Sequence, residues 1–433
     1  MDNKKKFKVS DIVGAGCGVL VALVLVVSAF TGTMNPTASA ETAEAAEEVK
    51  PILAAIVSNK VETGVAVTVK TAEDWKAICP EVYESHMKNQ ENDEIVEYTE
   101  EFPYLKVLYE DFGFSKFYGS ARGHYYDLED IFATGRPHAL ANCFTCKTPN
   151  FTAMVNEMGD EAYSLKFDDI SSEMVETISC YNCHGNTPPT LTVTHSYLSD
   201  AVGEDFEKID ARTLSCGQCH VEYYFAPDTK ATTLPYSNLA SMNPDDILAY
   251  YNNLLVDGQP FADYVNPRTG VRQIKVQHTE FETFLGKGSV LNYDFTCSDC
   301  HMGKETTADG KTYTSHYYTS PLTNEALIES TCSACHEDLA ADIHALQDEL
   351  NKRTDDVALI LVDLTEQLAA VVEKGEMAED KLNEVRSLAR DAQFYWDFVF
   401  VENSEGAHNS ALTNDCLDKA EKLANEAIAL LAA

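Results

Sequence analysis

The clearest periodic signal lies near the C-terminus. Leu339, Ile343, Leu346 and Leu350 recur at helical spacing, as do Val357, Leu361, Leu364 and Leu368, with acids and lysines between them. Gly375 and Gly406 bound a second apolar-striped segment, from about Ala378 to Val401, and a third runs from about Leu412 to Leu431. These segments carry few reactive groups, so residues 337–433 read as a helical scaffold and dimerisation region. Upstream, aromatics accumulate from Thr71 onward (Trp75, Tyr83, Tyr98, Phe102, Tyr104, Tyr109), interleaved with acids and punctuated by Pro80 and Pro103. That pattern predicts short helices joined by loops, and no period-2 run is long enough for a major sheet. The expected fold class is mainly α.

A different pattern opens the chain: Lys4-Lys5-Lys6, an apolar run from Ile12 to Phe30, then Ala38-Ser39-Ala40. A basic stretch, an apolar stretch and a small-residue site make an export signal. The run, at about 19 residues, is also long enough to span a bilayer. Residues 1–40 are therefore a cleaved signal or a retained anchor, with the Ala-x-Ala pattern favouring cleavage. Either places the chain in the periplasm or on the outer face of the cytoplasmic membrane. Residues 41–70 begin Ala/Glu-rich and lack aromatics, as a tether would. With 32 basic and 70 acidic residues the net charge is −38, which argues against a nucleic-acid partner.

The cysteines change the picture most. Four segments read Cys-x-x-Cys-His: Cys180–Cys183–His184, Cys216–Cys219–His220, Cys297–Cys300–His301 and Cys332–Cys335–His336. Two thiols two residues apart can meet the two vinyl groups of a haem, and the next side chain then lies under the iron. Zinc pairs need no histidine directly after the second cysteine, and a redox dithiol would not recur. A fifth segment, Cys143-Phe144-Thr145-Cys146-Lys147, offers an amine where the others offer imidazole, so one iron is marked as different. Five covalently bound haem c groups would supply much of the interior of residues 71–336.

Those five motifs, followed by long C-terminal helices, resemble the ammonia-forming pentahaem cytochrome c nitrite reductase family from about Trp75 to the C-terminus. The resemblance implies a multihaem cytochrome c fold and reduction of nitrite to ammonium at the Lys147 haem. It also implies a homodimer and a membrane quinol-oxidising multihaem cytochrome as electron donor. Lysine below the iron leaves the opposite face free, whereas an iron between two histidines can only pass electrons. Nitrite, a small anion whose nitrogen must take up electrons and protons together, needs a fixed cation and proton donors beside that face. Three residues match the family pocket: Arg122 to hold the anion, Tyr223 and His278 to donate hydrogen bonds and protons.

The same resemblance implies a Ca²⁺ site from Glu222 and Gln277 with the backbone carbonyls of Tyr223 and Lys275, an all-oxygen set that suits a hard cation. It assigns distal ligands too: His316 to the second haem, His124 to the third and His408 to the fourth. The fifth departs from the family, since Gly286-Lys287-Gly288-Ser289 stands where a Gly-x-His is expected. His195 is the first substitute, ahead of His86, His138 and His344. Cys79 and Cys416 remain over and are expected as free thiols. Two other readings stay open at this point: a multihaem electron-transfer cytochrome, and a reductase of sulfite or hydroxylamine.

Overall fold

The aromatic-rich region folds as short helices, as its prolines predict. A computed structural model describes residues 68–117, 119, 122–136, 139–289, 295–333 and 336–432. The signal or anchor, most of the tether, His138 and Cys335 lie outside the described residues. Five short helices position the chemistry: α1 (Asp127–Ala133), α2 (Cys180–His184), α3 (Ala211–Gly217), α4 (Glu280–Leu285) and α5 (Cys297–His301). Polar side chains start three of them. Asn182 accepts from the Ser179 amide at 3.1 Å, Asp210 from the Arg212 amide at 2.9 Å, and Asp299 from the Thr296 amide at 2.8 Å, each satisfying a backbone N–H at a helix start. Sheet is confined, among the described residues, to four two-stranded antiparallel hairpins.

Three long helices follow: α6 (Leu339–Lys374), α7 (Glu379–Phe400) and α8 (Ser410–Ala432). The two leucine stripes upstream of Gly375 belong to one 36-residue helix, which Gly375 ends in the left-handed conformation at φ 65°. Its burial is uneven. Leu350, Val357, Leu361, Leu364 and Leu368 are buried, while Leu339, Ile343 and Leu346 are only half-buried.

Helix α7 is covered on nearly every side from Ala392 to Val399 because it packs in two directions. One side meets α6 and α8. The other meets the strand Arg272–Gln273 and the segment after it, so Val276 and Tyr251 share a single core with Leu361, Trp396 and Leu417. At about 1.5–3 kcal/mol per fully buried large apolar side chain, that core ties the C-terminal helices to residues 271–281. A smaller cluster of Leu128, Phe144, Phe151 and Phe167 encloses the first cysteine motif, with Phe144 stacked on Phe167 at 4.2 Å. Cys79 and Cys416 are free, the latter buried. No described helix is long and apolar enough to cross a membrane.

Candidate functional site

Cysteines at i and i+3 with histidine at i+4 fall on one side of a helical turn, and the motifs take that form. Cys180, Cys183 and His184 lie on α2, and Cys297, Cys300 and His301 on α5. Cys216 lies in the last turn of α3, with Cys219 and His220 in the turn that continues it. Cys143 sits in a 3₁₀ turn, and the Lys147 amide bonds the Phe144 carbonyl at 3.0 Å. Cys332 ends a π-helical turn, Ile328–Cys332. Every described motif cysteine is free and half-buried. The motifs also adjoin: the Cys146 and Cys219 thiols lie close enough to shift each other's titration, and the Cys216 thiol lies close enough to shift that of Cys297.

The histidines are paired across space. His184 and His316 have ring centroids 6.2 Å apart, His220 and His124 6.2 Å, and His301 and His408 6.2 Å. An iron between two in-line imidazoles, with metal–nitrogen bonds of about 2 Å, sets the ring centres roughly 6 Å apart. The tautomers agree with that geometry. Nδ1 of His184 bonds the Thr190 carbonyl at 3.0 Å, Nδ1 of His301 the Thr319 carbonyl at 3.2 Å, and Nδ1 of His316 the Thr314 carbonyl at 3.0 Å. A carbonyl accepts only from N–H, so the proton is on Nδ1 and the Nε2 lone pair is free to ligate. Burial pushes the His124 and His316 pKa values down to about 4, leaving both rings neutral near pH 7. Haem c therefore fits these residues; His184/His316, His220/His124 and His301/His408 would hold it, and His278 also lies 5.9 Å from His220. His336 has no paired imidazole among the described residues. Of the substitutes, His344 is exposed on α6, His86 packs on Tyr318, and His195 is enclosed by Thr152, Tyr197 and Gln218.

Around Lys147 the structure brings together less than the sequence suggests. Its ammonium bonds Asp127 at the start of α1, Nζ to Oδ1 3.0 Å. Burial pulls its pKa down, but the charge and hydrogen bond of Asp127 outweigh that and the net shift is upward. Tyr223 lies within electrostatic reach of Cys143 and Cys146, and His278 within reach of Lys147. Burial holds His278 at about 4, hence neutral, and its Nδ1 is buried without a hydrogen bond. Arg122, only 8 % exposed, is taken up by acids of α1. Its guanidinium bonds Glu129 at 2.9 Å and Asp130 at 2.5 Å and stacks on Tyr126 at 4.0 Å. The guanidinium whose charge reaches Cys143, Lys147 and Tyr223 is that of Arg136, which makes no ion pair among the described residues.

The four expected calcium ligands do converge. Glu222, fully buried, accepts from the Gln277 amide at 2.6 Å and from the Tyr251 hydroxyl at 2.7 Å. The Gln277 side chain bonds the Lys275 carbonyl at 2.7 Å, and Tyr223 is next in the chain to Glu222. A second buried carboxylate, Glu282, accepts from the Glu222 amide at 3.0 Å, and its Oε2 has no partner. Burial pushes Glu282 up to about 8 and Glu222 upward as well, with the charge of Glu282 adding to the rise at Glu222. A hard divalent ion fits Glu222, Gln277 and the Tyr223 and Lys275 carbonyls.

Three acids that sequence reasoning missed organise the site. Asp127 faces Lys147. Glu280 lies between His220 (Nδ1 3.7 Å) and His278 (Nδ1 3.9 Å), brought there because Gly217 lets α4 approach; a Cβ on Gly217 would lie 2.2 Å from Phe281. Asp397 on α7 holds the buried Lys275 ammonium at 3.0 and 3.1 Å and accepts from the Val276 amide at 2.8 Å. Nothing near them in sequence marks them among 70 acidic residues.

Comparison with known proteins places this arrangement. Residues 71–433 match the family model described as cytochrome c552. The cytochrome c nitrite reductase subunit NrfA of Nitratidesulfovibrio vulgaris is 31% identical over 434 residues, covering 86% of this chain and 82% of that protein. A cytochrome c-552 of Bacteroides fragilis is 32% identical over 362 residues, covering 78% and 69%. In structure the chain is similar to the cytochrome c nitrite reductase of Desulfovibrio desulfuricans, a catalytic subunit described with two calcium sites. That match has a TM-score of 0.76 and 29% identity, covering 85% of this chain and 87% of the other. The chain belongs to the cytochrome c552 family, that of the pentahaem cytochrome c nitrite reductases.

Proposed function

We propose that this chain reduces nitrite to ammonium at its Cys143–Lys147 motif. The observation that carries the reading is the contrast in ligands. Three of the histidine motifs meet a second imidazole at 6.2 Å, whereas the first motif offers Lys147 and no imidazole pair. Haem c held at the five motifs would supply the redox chemistry, with Lys147 in place of a histidine marking the motif at which nitrite would be reduced. Nitrite, eight protons and six electrons yield ammonium and two waters, so adjoining relay motifs are needed.

The chain's own residues bind, orient and protonate. Tyr223 donates from its hydroxyl and His278 from its ring N–H, both beside the first motif. The family role of holding the anion falls on Arg122; here Glu129 and Asp130 neutralise that side chain, and Arg136 supplies the uncompensated charge. Calcium at Glu222, Gln277 and the Tyr223 and Lys275 carbonyls would fix the segments on which Tyr223 and His278 sit. The export segment supports a periplasmic or outer-face location, and the family resemblance supports a homodimer and a quinol-oxidising multihaem cytochrome in the membrane as electron donor.

The test is a balanced assay with a reduced dye. One ammonium per nitrite, with six electrons drawn from the dye, is expected, and sulfite and hydroxylamine run in parallel rank the substrates. Electron transfer without ammonium would reduce the chain to a carrier.

A further inference from the structure

Each paired histidine whose Nδ1 contact is a backbone carbonyl has a neutral partner: Thr190 for His184, Thr319 for His301, Thr314 for His316. His408 differs. Its Nδ1 meets a Glu402 carboxylate oxygen at 2.7 Å, and that side chain is 3% exposed. The contact is built by the loop between α7 and α8. Glu405 and Gly406 take φ values of 54° and 88°, turning the chain so that His408 comes back over Glu402. The turn needs glycine on space as well as angle, since a Cβ on Gly406 would lie 2.1 Å from Leu350 Cδ1. Ser404 then locks both ends: its hydroxyl donates to the second Glu402 oxygen at 2.6 Å and accepts from the His408 amide at 2.9 Å.

A carboxylate on the far nitrogen of an axial imidazole makes the ring a stronger donor and favours the oxidised metal. We propose that Glu402 lowers the reduction potential of the haem held at the fourth motif by accepting the Nδ1 proton of His408 in a charged hydrogen bond. The proposal rests on the reading of His301 and His408 as that haem's two ligands. It gives the C-terminal loop an electronic role, since the relay position next to Cys216 of the third motif is tuned from outside the cysteine-motif region.

The experiment is a redox titration of the holoenzyme, followed by visible absorbance and EPR, for the wild type and for Glu402→Gln and Glu402→Asp. In Glu402→Gln the amide oxygen still accepts from Nδ1 but carries no charge, matching the backbone carbonyls at His184, His301 and His316. One component of the titration moves to higher potential, the others stay, and its low-spin ferric signal persists. Glu402→Asp keeps the charge but lengthens the contact. It shifts the same component less, in the same direction, and decides the matter alone where the Gln variant does not accumulate. No shift in any component, or an equal shift in all, overturns the proposal. His408→Ala separates this from the ligand assignment: loss of one bis-imidazole signal upholds the assignment, while retention of every such signal overturns it and the proposal together.

Discussion

Asp397→Ala is the perturbation that reaches the site from furthest away. The carboxylate is fully buried on α7, opposite an ammonium that is 1% exposed, and it satisfies two contacts to Lys275 Nζ and the Val276 amide. Its removal takes the ion-paired counter-charge from a buried cation, which costs about 3–5 kcal/mol. Of this, the orphaned Val276 amide accounts for about 1–3 kcal/mol. The segment that loses its anchor carries the Lys275 carbonyl, Gln277 and His278. The holoenzyme should therefore melt several degrees lower, and its affinity for Ca²⁺ should fall together with nitrite turnover. Lys275→Met/Asp397→Leu should recover most of the stability, because removing both charges leaves neither uncompensated. Lys352→Ala, which breaks an exposed pair with Asp356 on α6, is the control and should change nothing measurable. Thermal melts with calorimetric Ca²⁺ titration read all four proteins. If Asp397→Ala melts with the control variant, the pair does not anchor the segment.

Three further expectations follow from the same geometry. Glu222→Gln removes the one charged ligand expected for calcium, so Ca²⁺ affinity should drop at least tenfold, roughly 1.4 kcal/mol, in calorimetry, and unchanged affinity would move the site elsewhere. Arg136→Ala should raise the KM for nitrite about tenfold with little effect on kcat, whereas an unchanged KM would mean that its charge does not reach the anion. His195 is held by burial at about 4 against 6.5 for an exposed ring, so the unfolded chain takes up a proton that the folded chain refuses. Stability from this residue is complete above pH 6.5, falls as pH drops from 6.5 to about 4 and then levels off; up to about 3 kcal/mol is at stake. His195→Gln should flatten that part of the stability curve, and an unaltered slope in denaturant titrations at pH 7 and pH 4.5 would contradict the assignment.

What the sequence made legible is whatever has a short period. Helices α7 and α8 end close to where the glycines and apolar stripes place them, and the cysteine motifs fold as the single turns their spacing implies. The pairing of His316, His124 and His408 with the second, third and fourth motifs was legible only through family resemblance, since His184 and His316 lie far apart in the chain and contacts of such span leave no local trace. The two stripes of α6 form the one helix that the sequence places before Gly375, since Asn351, Lys352 and Arg353 between them lie on its polar face and do not break it. Arg122 shows a further limit. Its motif announces an anion site, but Glu129 and Asp130, seven and eight residues on, take the guanidinium. The helices expected as a scaffold also reach the site, since Asp397 grips Lys275 across 122 residues, a contact with no trace in the local sequence.

The account depends on Lys147 being the ligand that sets one haem apart. The direct measurement is Lys147→Ala, purified with its haems, assayed for nitrite reduction with reduced dye and examined by EPR. The expected result is loss of ammonium formation while the bis-imidazole signals from the histidine pairs remain. Nitrite turnover at the wild-type rate in that variant would contradict the account.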